Sequence, residues 1–302
     1  MRKLTLATAA LAAVAILSCT TGGGGPDGEN TDWRNVPSPT SRGINGLTAV
    51  AANDVWGCGE LGVILHYDGQ EWRLAITSNA PELYGTDFVN SGDGWVCGAN
   101  GYIARYQNGG WGQVTQNLHA VNLYAVDAYE GGRVWFAGAS GAILQYNNGE
   151  WIDESPGFMQ DLYGLKVTSA DNGWAVGDDS LILARTNGTW LQVTSPVETD
   201  YRCLFSVNDN EAWFGGTAGY VVHYKNGGLS KTRLPSAETV RALHFLADGR
   251  GYAVTKAGGI YAYAPGSGWR AWFQANAQLY ALVFTSNTHG WAAGSGGTIL
   301  AR

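Results

Sequence analysis

Residues 173–193 read Gly-Trp-Ala-Val-Gly-Asp-Asp-Ser-Leu-Ile-Leu-Ala-Arg-Thr-Asn-Gly-Thr-Trp-Leu-Gln-Val. Three short apolar runs are separated by Asp-Asp-Ser and by Thr-Asn-Gly, which is turn chemistry between strands. A fourth run, Asp161-Leu-Tyr-Gly-Leu-Lys-Val167, precedes them. Four strands in about 40 residues is the size of one small antiparallel sheet. The unit recurs along the chain. Trp56, Trp95, Trp135, Trp174, Trp213 and Trp291, with Tyr252 in the one missing place, are spaced by 39, 40, 39, 39, 39 and 39 residues. A second series, Trp33, Trp72, Trp111, Trp151, Trp190, Leu229 and Trp269, is spaced by 39, 39, 40, 39, 39 and 40. Seven copies of one supersecondary unit set the fold before any local reading.

The array is out of phase with the chain ends. The seventh unit supplies Leu279-Tyr-Ala-Leu, then Trp291-Ala-Ala-Gly, then Thr298-Ile-Leu-Ala-Arg302, and has no fourth strand. The missing strand stands at the other end as Asp32-Trp-Arg-Asn-Val-Pro, with Trp33 placed before Trp56 as Trp72 is before Trp95. Such a phase shift closes a ring and removes exposed sheet edges. No segment of the mature chain keeps a 3.6-residue apolar period, and 44 glycines penalise helix interiors. The expectation is an all-β, seven-bladed β-propeller of four-stranded blades over residues 32–302. Its N-terminal strand completes the last blade.

The start of the chain reads differently. Arg2 and Lys3 precede an unbroken run of apolar residues, Ala and Thr from Leu4 to Leu17, too short to span a membrane as an ordinary helix. Residues 1–18 therefore read as a secretion signal. The run ends in Ile16-Leu-Ser-Cys19, which resembles the bacterial lipobox, with Ile16 where Leu is usual. That resemblance implies a lipid on Cys19 and a tether at 19–31, whose Thr-Thr-Gly-Gly-Gly-Gly-Pro-Asp-Gly-Glu-Asn is polar and free of packing residues. Thr20 is not the Asp that retains many such lipoproteins at the inner membrane, so the resemblance implies an outer-membrane or cell-surface address. Removal of 1–18 takes away Arg2 and Lys3 and no acid, moving the net charge from −7 to −9. An acidic exported protein does not fit nucleic-acid binding, which needs Lys and Arg on phosphates.

Cys58 and Cys97 share one repeat position, in Trp56-Gly-Cys-Gly and Trp95-Val-Cys-Gly. Equivalent points on neighbouring blades lie about 10 Å apart, outside disulfide reach. Both read as buried thiols, as does Cys203 in a place where the repeat has Gly or Ala. No CxxC pair and no His cluster suggests a metal, and no cofactor is expected.

Units such as Gly173-Trp-Ala-Val-Gly with Leu181-Ile-Leu-Ala-Arg-Thr-Asn-Gly-Thr-Trp190 resemble the BNR, or Asp-box, repeats of sialidase-like propellers. The chain is most similar to propeller lipoproteins related to the photosystem II stability and assembly factor, over residues 32–302. The full Ser-x-Asp-x-Gly-x-Thr-Trp box is not present. In its place stand Tyr67-Asp-Gly-Gln-Glu-Trp72, Tyr106-Gln-Asn-Gly-Gly-Trp111 and Tyr146-Asn-Asn-Gly-Glu-Trp151. The box is a hairpin turn, so it speaks for fold and not for activity.

Positions shared by all blades hold the fold. The tryptophans should stack between blades, and the glycines after them (Gly59, Gly98, Gly138, Gly177, Gly216, Gly294) should begin a tight turn. Function is sought where blades differ. After the first-strand residue Ile44, Leu83, Leu123, Leu162, Tyr201, Val240 or Leu279 comes Asn45, Tyr84, Tyr124, Tyr163, Arg202, Arg241 or Tyr280. That column should form a partial ring of four tyrosines and two adjacent arginines at a channel mouth, and Tyr and Arg dominate recognition surfaces. Three residues further on lie Thr48, Asp87, Asp127, Lys166, Phe205, His244 and Val283. Asp127 and Lys166 could pair; Asp87 beside Asp127 could hold a cation, or the column could simply line a watered channel with a structural ion pair. Glu60, Asp178, Asp179 and Lys256, on turns, give a mixed-charge surface without evident purpose.

Three functions compete for this pattern of residues. A non-catalytic, lipid-tethered propeller would bind a protein partner in the bacterial envelope, as the resemblance implies for assembly-type roles. A lectin-like propeller would bind glycan between blades, but no polar set recurs from blade to blade. A sialidase-like glycosidase, as the resemblance has it, needs three arginines, a Tyr–Glu pair and an Asp acid. Arg202, Arg241, a distant Arg42 and Glu82 are the only candidates for the first two. The expectation is a non-enzyme whose membrane contact is the lipid anchor alone.

Overall fold

The computed structural model describes residues 33–77, 80–114 and 119–302. The signal segment 1–18 and the tether 19–31 with Cys19 lie outside the described residues. Seven four-stranded antiparallel sheets are present; in six of them the strands follow chain order from the axis outward, and the seventh takes its outermost strand from the N-terminal segment. The inner strands of blades 1 to 7 are Ile44–Ala51, Leu83–Asn90, Leu123–Tyr129, Leu162–Val167, Tyr201–Asn208, Val240–Phe245 and Leu279–Phe284. Consecutive inner strands pack side by side, and the seventh packs against the first.

The ring closes as the phase shift requires. Blade 7 takes its outer strand from the N-terminal segment Arg34–Asn35, with Arg34 opposite Ala301 and Asn35 opposite Leu300. Val36 N–H adds a bond to the Ile299 carbonyl at 3.0 Å. From the other end Arg302 seals the seam between blades 6 and 7. Its guanidinium lies 4.4 Å from the Trp272 ring and 5.4 Å from the Tyr252 ring, and its Nη1 donates to Tyr252 Oη at 2.9 Å. A cation over aromatic faces is held best where water is excluded.

Aromatic rings fill the spaces between blades. Trp56 of blade 1 meets Phe88 at 4.8 Å and Trp111 of blade 2 at 5.9 Å. Trp213 lies between His223 at 3.6 Å and Phe245 of blade 6 at 4.2 Å. Between blades 3 and 4 the partly buried Glu154 carboxylate accepts from Arg185 Nε at 3.0 Å, Trp190 Nε1 at 3.0 Å and Trp135 Nε1 at 3.2 Å. The repeated glycine after the second strand is required by close approach. A Cβ at Gly59 would collide with the Gly43 carbonyl, to which Glu60 N–H donates at 3.0 Å. Cys58, Cys97 and Cys203 are buried free thiols.

Candidate functional site

Each inner strand contains the same irregularity. The register against the second strand slips between Ile44 and Gly46, Leu83 and Gly85, Leu123 and Ala125, and likewise in blades 4 to 7. The residue skipped each time is the member of the variable column: Asn45, Tyr84, Tyr124, Tyr163, Arg202, Arg241 or Tyr280. A β-bulge leaves one residue unpaired and re-aims its side chain. Seven bulges at one height therefore turn seven side chains toward one opening. The next residue is small, and Gly46, Gly85, Ala125, Gly164 and Cys203 leave the space beneath the ring hollow. The result is a funnel of about 530 Å³ lined by the whole column.

The structure thus brings together Tyr84, Tyr124, Tyr163, Arg202, Arg241 and Tyr280. Three tyrosines and an arginine form a continuous arc. Tyr84 and Tyr124 ring centres are 5.2 Å apart, Tyr124 and Tyr163 are stacked at 4.8 Å, and the Arg202 guanidinium lies 4.3 Å from the Tyr163 ring. Arg241 lies 5.6 Å from the Tyr280 ring. Planar groups stacked in sequence support one another's rotamers, so the arc is preorganised.

A second set of residues holds the first; of these the sequence singles out Glu82 and Asp178, though not for this role. Glu82 accepts from Asn45 Nδ2 at 3.2 Å and faces the Tyr84 hydroxyl. Asp161 takes the Tyr124 hydroxyl at 3.4 Å, and Gln278 takes that of Tyr280 at 2.7 Å. Asp178 accepts from Arg202 Nη1 at 2.6 Å and from the Tyr163 hydroxyl at 3.4 Å, while Asp200 meets Arg202 Nη2 at 3.3 Å. Asp178, read from sequence as part of a surface without purpose, is a keystone of the ring. The acid or amide one place before five of the seven inner strands, Glu82, Asn122, Asp161, Asp200 and Gln278, was a signal for the rest of this set; Asp178 follows a second strand and carries no such mark.

The electrostatics set limits on chemistry. Burial pushes the Tyr84 phenol up, helped by the Glu82 charge, and burial likewise raises Tyr124. Tyr163 is pushed up to about 12 by burial against the opposing pull of Arg202. A nucleophilic tyrosine needs the reverse shift or a nearby base, and the carboxylates beside these hydroxyls are Glu82 at Tyr84 and Asp161 at Tyr124. The Cys203 thiol, within reach of the Arg241 charge, is raised by burial to about 12, so it is no thiolate. Arg42, the distant third arginine, donates to the Leu61 carbonyl at 3.2 Å and is not part of the funnel wall.

Asp87 and Asp127 stand deeper, in the channel, and do not reach the funnel wall. Asp87 accepts from Thr48 Oγ1 at 3.0 Å and from the Ala128 N–H of the next blade at 3.0 Å. Asp127 accepts from Lys166 Nζ and, at 2.6 Å, from the Val167 N–H, both on the next blade. The expected Asp127–Lys166 pair is therefore present. Every carboxylate oxygen of Asp87 and Asp127 is engaged by protein. Among the described residues no group of three or more His, Cys, Asp or Glu is placed to hold a metal.

No family model and no curated protein matches the chain. Solved structures do. YCF48 from Cyanidioschyzon merolae superposes with a TM-score of 0.74 at 18% identity, covering 89% of this chain and 98% of that one. YCF48 bound to D1 peptide gives 0.73 at 16% identity, covering 89% and 96%. The WD40 propeller domain of Doa1 gives 0.78 at 13% identity, covering 90% and 97%. At such identities the likeness is one of fold, and the fold is the seven-bladed β-propeller.

Proposed function

We propose that this protein is a non-catalytic propeller that binds a protein partner through the tyrosine–arginine funnel, exported and held to the bacterial envelope by a lipid on Cys19. The observation that carries the reading is the ring of bulges. One irregularity repeated at one height in every blade aims Tyr84, Tyr124, Tyr163, Arg202, Arg241 and Tyr280 at a common opening. Aromatic and arginine side chains in a preformed concavity are the usual anchors of a protein interface. That a propeller of the same fold is described as bound to a D1 peptide agrees with this use of the fold. The Cys203 thiol, kept protonated by burial, is no nucleophile at the same place.

The test is capture from native envelope with the full chain, beside a Tyr84→Ala/Tyr124→Ala variant that removes half of the arc. A partner retained by the first and lost by the second supports the reading; identical captures end it. Membership of the envelope is checked separately, by labelling with a radioactive fatty acid: label lost in Cys19→Ser supports the anchor, and an unlabelled wild type removes it.

A glycan-binding reading rests on one feature. A polar groove of about 750 Å³ between blades 4 and 5 is lined by Gln192, Thr194, Glu198, Tyr220 and Lys231 among others. The groove between blades 6 and 7, lined by Asn35, Gln274, Asn276 and Thr298 among others, has a different polar set, whereas a lectin propeller repeats its site. Glycan-array binding abolished by Gln192→Ala would favour this reading over the first.

A further inference from the structure

The two arginines of the funnel are not alike. Arg202 is neutralised by Asp178 and Asp200 and stacked on Tyr163. Arg241, on the next blade, has the Tyr280 ring for company and, among the described residues, no carboxylate within ion-pair reach. Burial acts against its charge, and so does the neighbouring Arg202. An arginine cannot relieve that cost by giving up its proton. A partly buried, uncompensated cation is expensive, and removing it should favour the fold. Backbone geometry makes the placement no accident, since Arg241 is the bulge residue of its strand and is aimed at the funnel like the rest.

Resting on the reading above, we propose that Arg241 is the anchor for a single carboxylate that the protein partner presents beside an aromatic side chain. Charge counting around the ring selects a monoanion. One positive charge stands unneutralised, while Glu82, Asp161, Asp178 and Asp200 surround the rest of the mouth and repel a dianion such as phosphate. Geometry selects the flat neighbour. Tyr280 lies under Arg241, and the exposed edge of the Tyr84–Tyr124–Tyr163 arc offers ring contacts across the opening. The carboxylate comes either from the partner's chain end or from an Asp or Glu side chain.

The probes are 3-phenylpropionate and 3-phenylpropionamide, titrated against the full chain by ligand-observed NMR. Three short peptides follow: one ending in Phe with a free carboxylate, the same peptide amidated, and an amidated peptide with an internal Asp-Phe pair. The acid should bind tenfold or more tightly than the amide, in line with one charge-assisted bond. Arg241→Gln should erase that difference, Arg241→Lys should keep part of it, and Arg202→Gln should keep most of it. Arg241→Gln should also melt no lower than wild type, which a structural role would not allow. The free-end and internal-Asp peptides then assign the source of the carboxylate. Equal binding of acid and amide, no binding of either, a preference that survives Arg241→Gln, or a lower melting point for that variant each overturns the proposal. A captured partner lost by Tyr84→Ala/Tyr124→Ala but kept by Arg241→Gln would refute the anchor and leave the funnel reading standing. A partner kept by both would refute the funnel reading itself.

Discussion

The same seven strands build two rings, three residues apart, that treat charge in opposite ways. In the channel, Asp87 and Asp127 each reach across a seam and bind a backbone N–H of the next blade, and Lys166 returns to Asp127. These polar groups close on one another and fasten blades 1 to 4. On the far side the ring continues with Phe205, His244 and Val283; Phe205 packs on His244 at 4.9 Å, and His244 meets Phe284 of the core between blades 6 and 7 at 5.5 Å. At the mouth, planar groups stack around a hollow and one cation, Arg241, is left over. A ring that satisfies itself reads as scaffold; a ring that leaves a charge facing a cavity reads as a site.

The sharpest way to break that contrast is Asp127→Ala. It strands Lys166 and the Val167 N–H at a seam between blades 3 and 4. Breaking a buried pair costs about 3–5 kcal/mol, and the half-exposed Lys166 side chain places this case near about 3 kcal/mol. Denaturant midpoints measure it. A loss below about 1 kcal/mol would mean that the channel carboxylates do not fasten the blades, and the two rings would no longer differ in kind.

His244 tests the apolar half of the same ring. Burial lowers its pKa from 6.5 to about 4, so the unfolded chain takes up a proton that the folded chain refuses. Stability is intact above pH 6.5 and falls as pH drops toward 4, by at most about 1.4 kcal/mol per pH unit from this group. Other groups titrate in that range, so the quantity to measure is the difference between wild type and His244→Phe across pH 7 to 4. A difference that does not grow with acidity would show that His244 reaches water and that this side of the channel is wet.

How much of this was legible beforehand follows from what a single sequence encodes. The 39-residue stride and the displaced Trp33 strand wrote out the propeller and its closure, because every blade repeats them. The Tyr–Arg column was also legible, since alignment of the repeats puts Tyr84 beside Tyr124 and Arg202 beside Arg241. The bulge was not, because it depends on register against the second strand, and no residue type marks it. Nor was the difference between the arginines. Asp178 reaches Arg202 from the preceding blade's turn, 24 residues earlier, and blade 5 offers Arg241 no such acid: Ala218 holds the equivalent turn position of Asp179, and Thr217 that of Asp178.

That difference makes a smaller, sharper test. Arg202→Gln leaves Asp178 and Asp200 facing each other without their shared cation and removes the end of the arc on Tyr163. A loss of about 1–2 kcal/mol is expected, modest because Asp200 is exposed enough for water to screen it. Arg241→Gln is expected to cost nothing. If thermal melts show the two variants to be equally destabilised, the division between a neutralised and an unneutralised arginine fails.

The smallest effect is the most discriminating about what the funnel reads. The Tyr124 hydroxyl meets Asp161 and Asn122 at 3.4 Å each, long for bonds to an O–H. Tyr124→Phe should therefore change stability by less than about 0.5 kcal/mol. Its ring, by contrast, is held between Tyr84 and Tyr163, and Phe preserves both contacts. If a partner meets the face or edge of the arc, Tyr124→Phe should bind within about threefold of wild type while Tyr124→Ala loses more than tenfold, since a buried aromatic anchor is worth 2 kcal/mol or more. Partner titrations with both variants decide it. A tenfold loss in Tyr124→Phe alone would mean that the hydroxyl is the contact. The mouth would then be reading hydrogen-bonding groups, as a sugar presents them, and the glycan reading would move from the groove between blades 4 and 5 to the funnel.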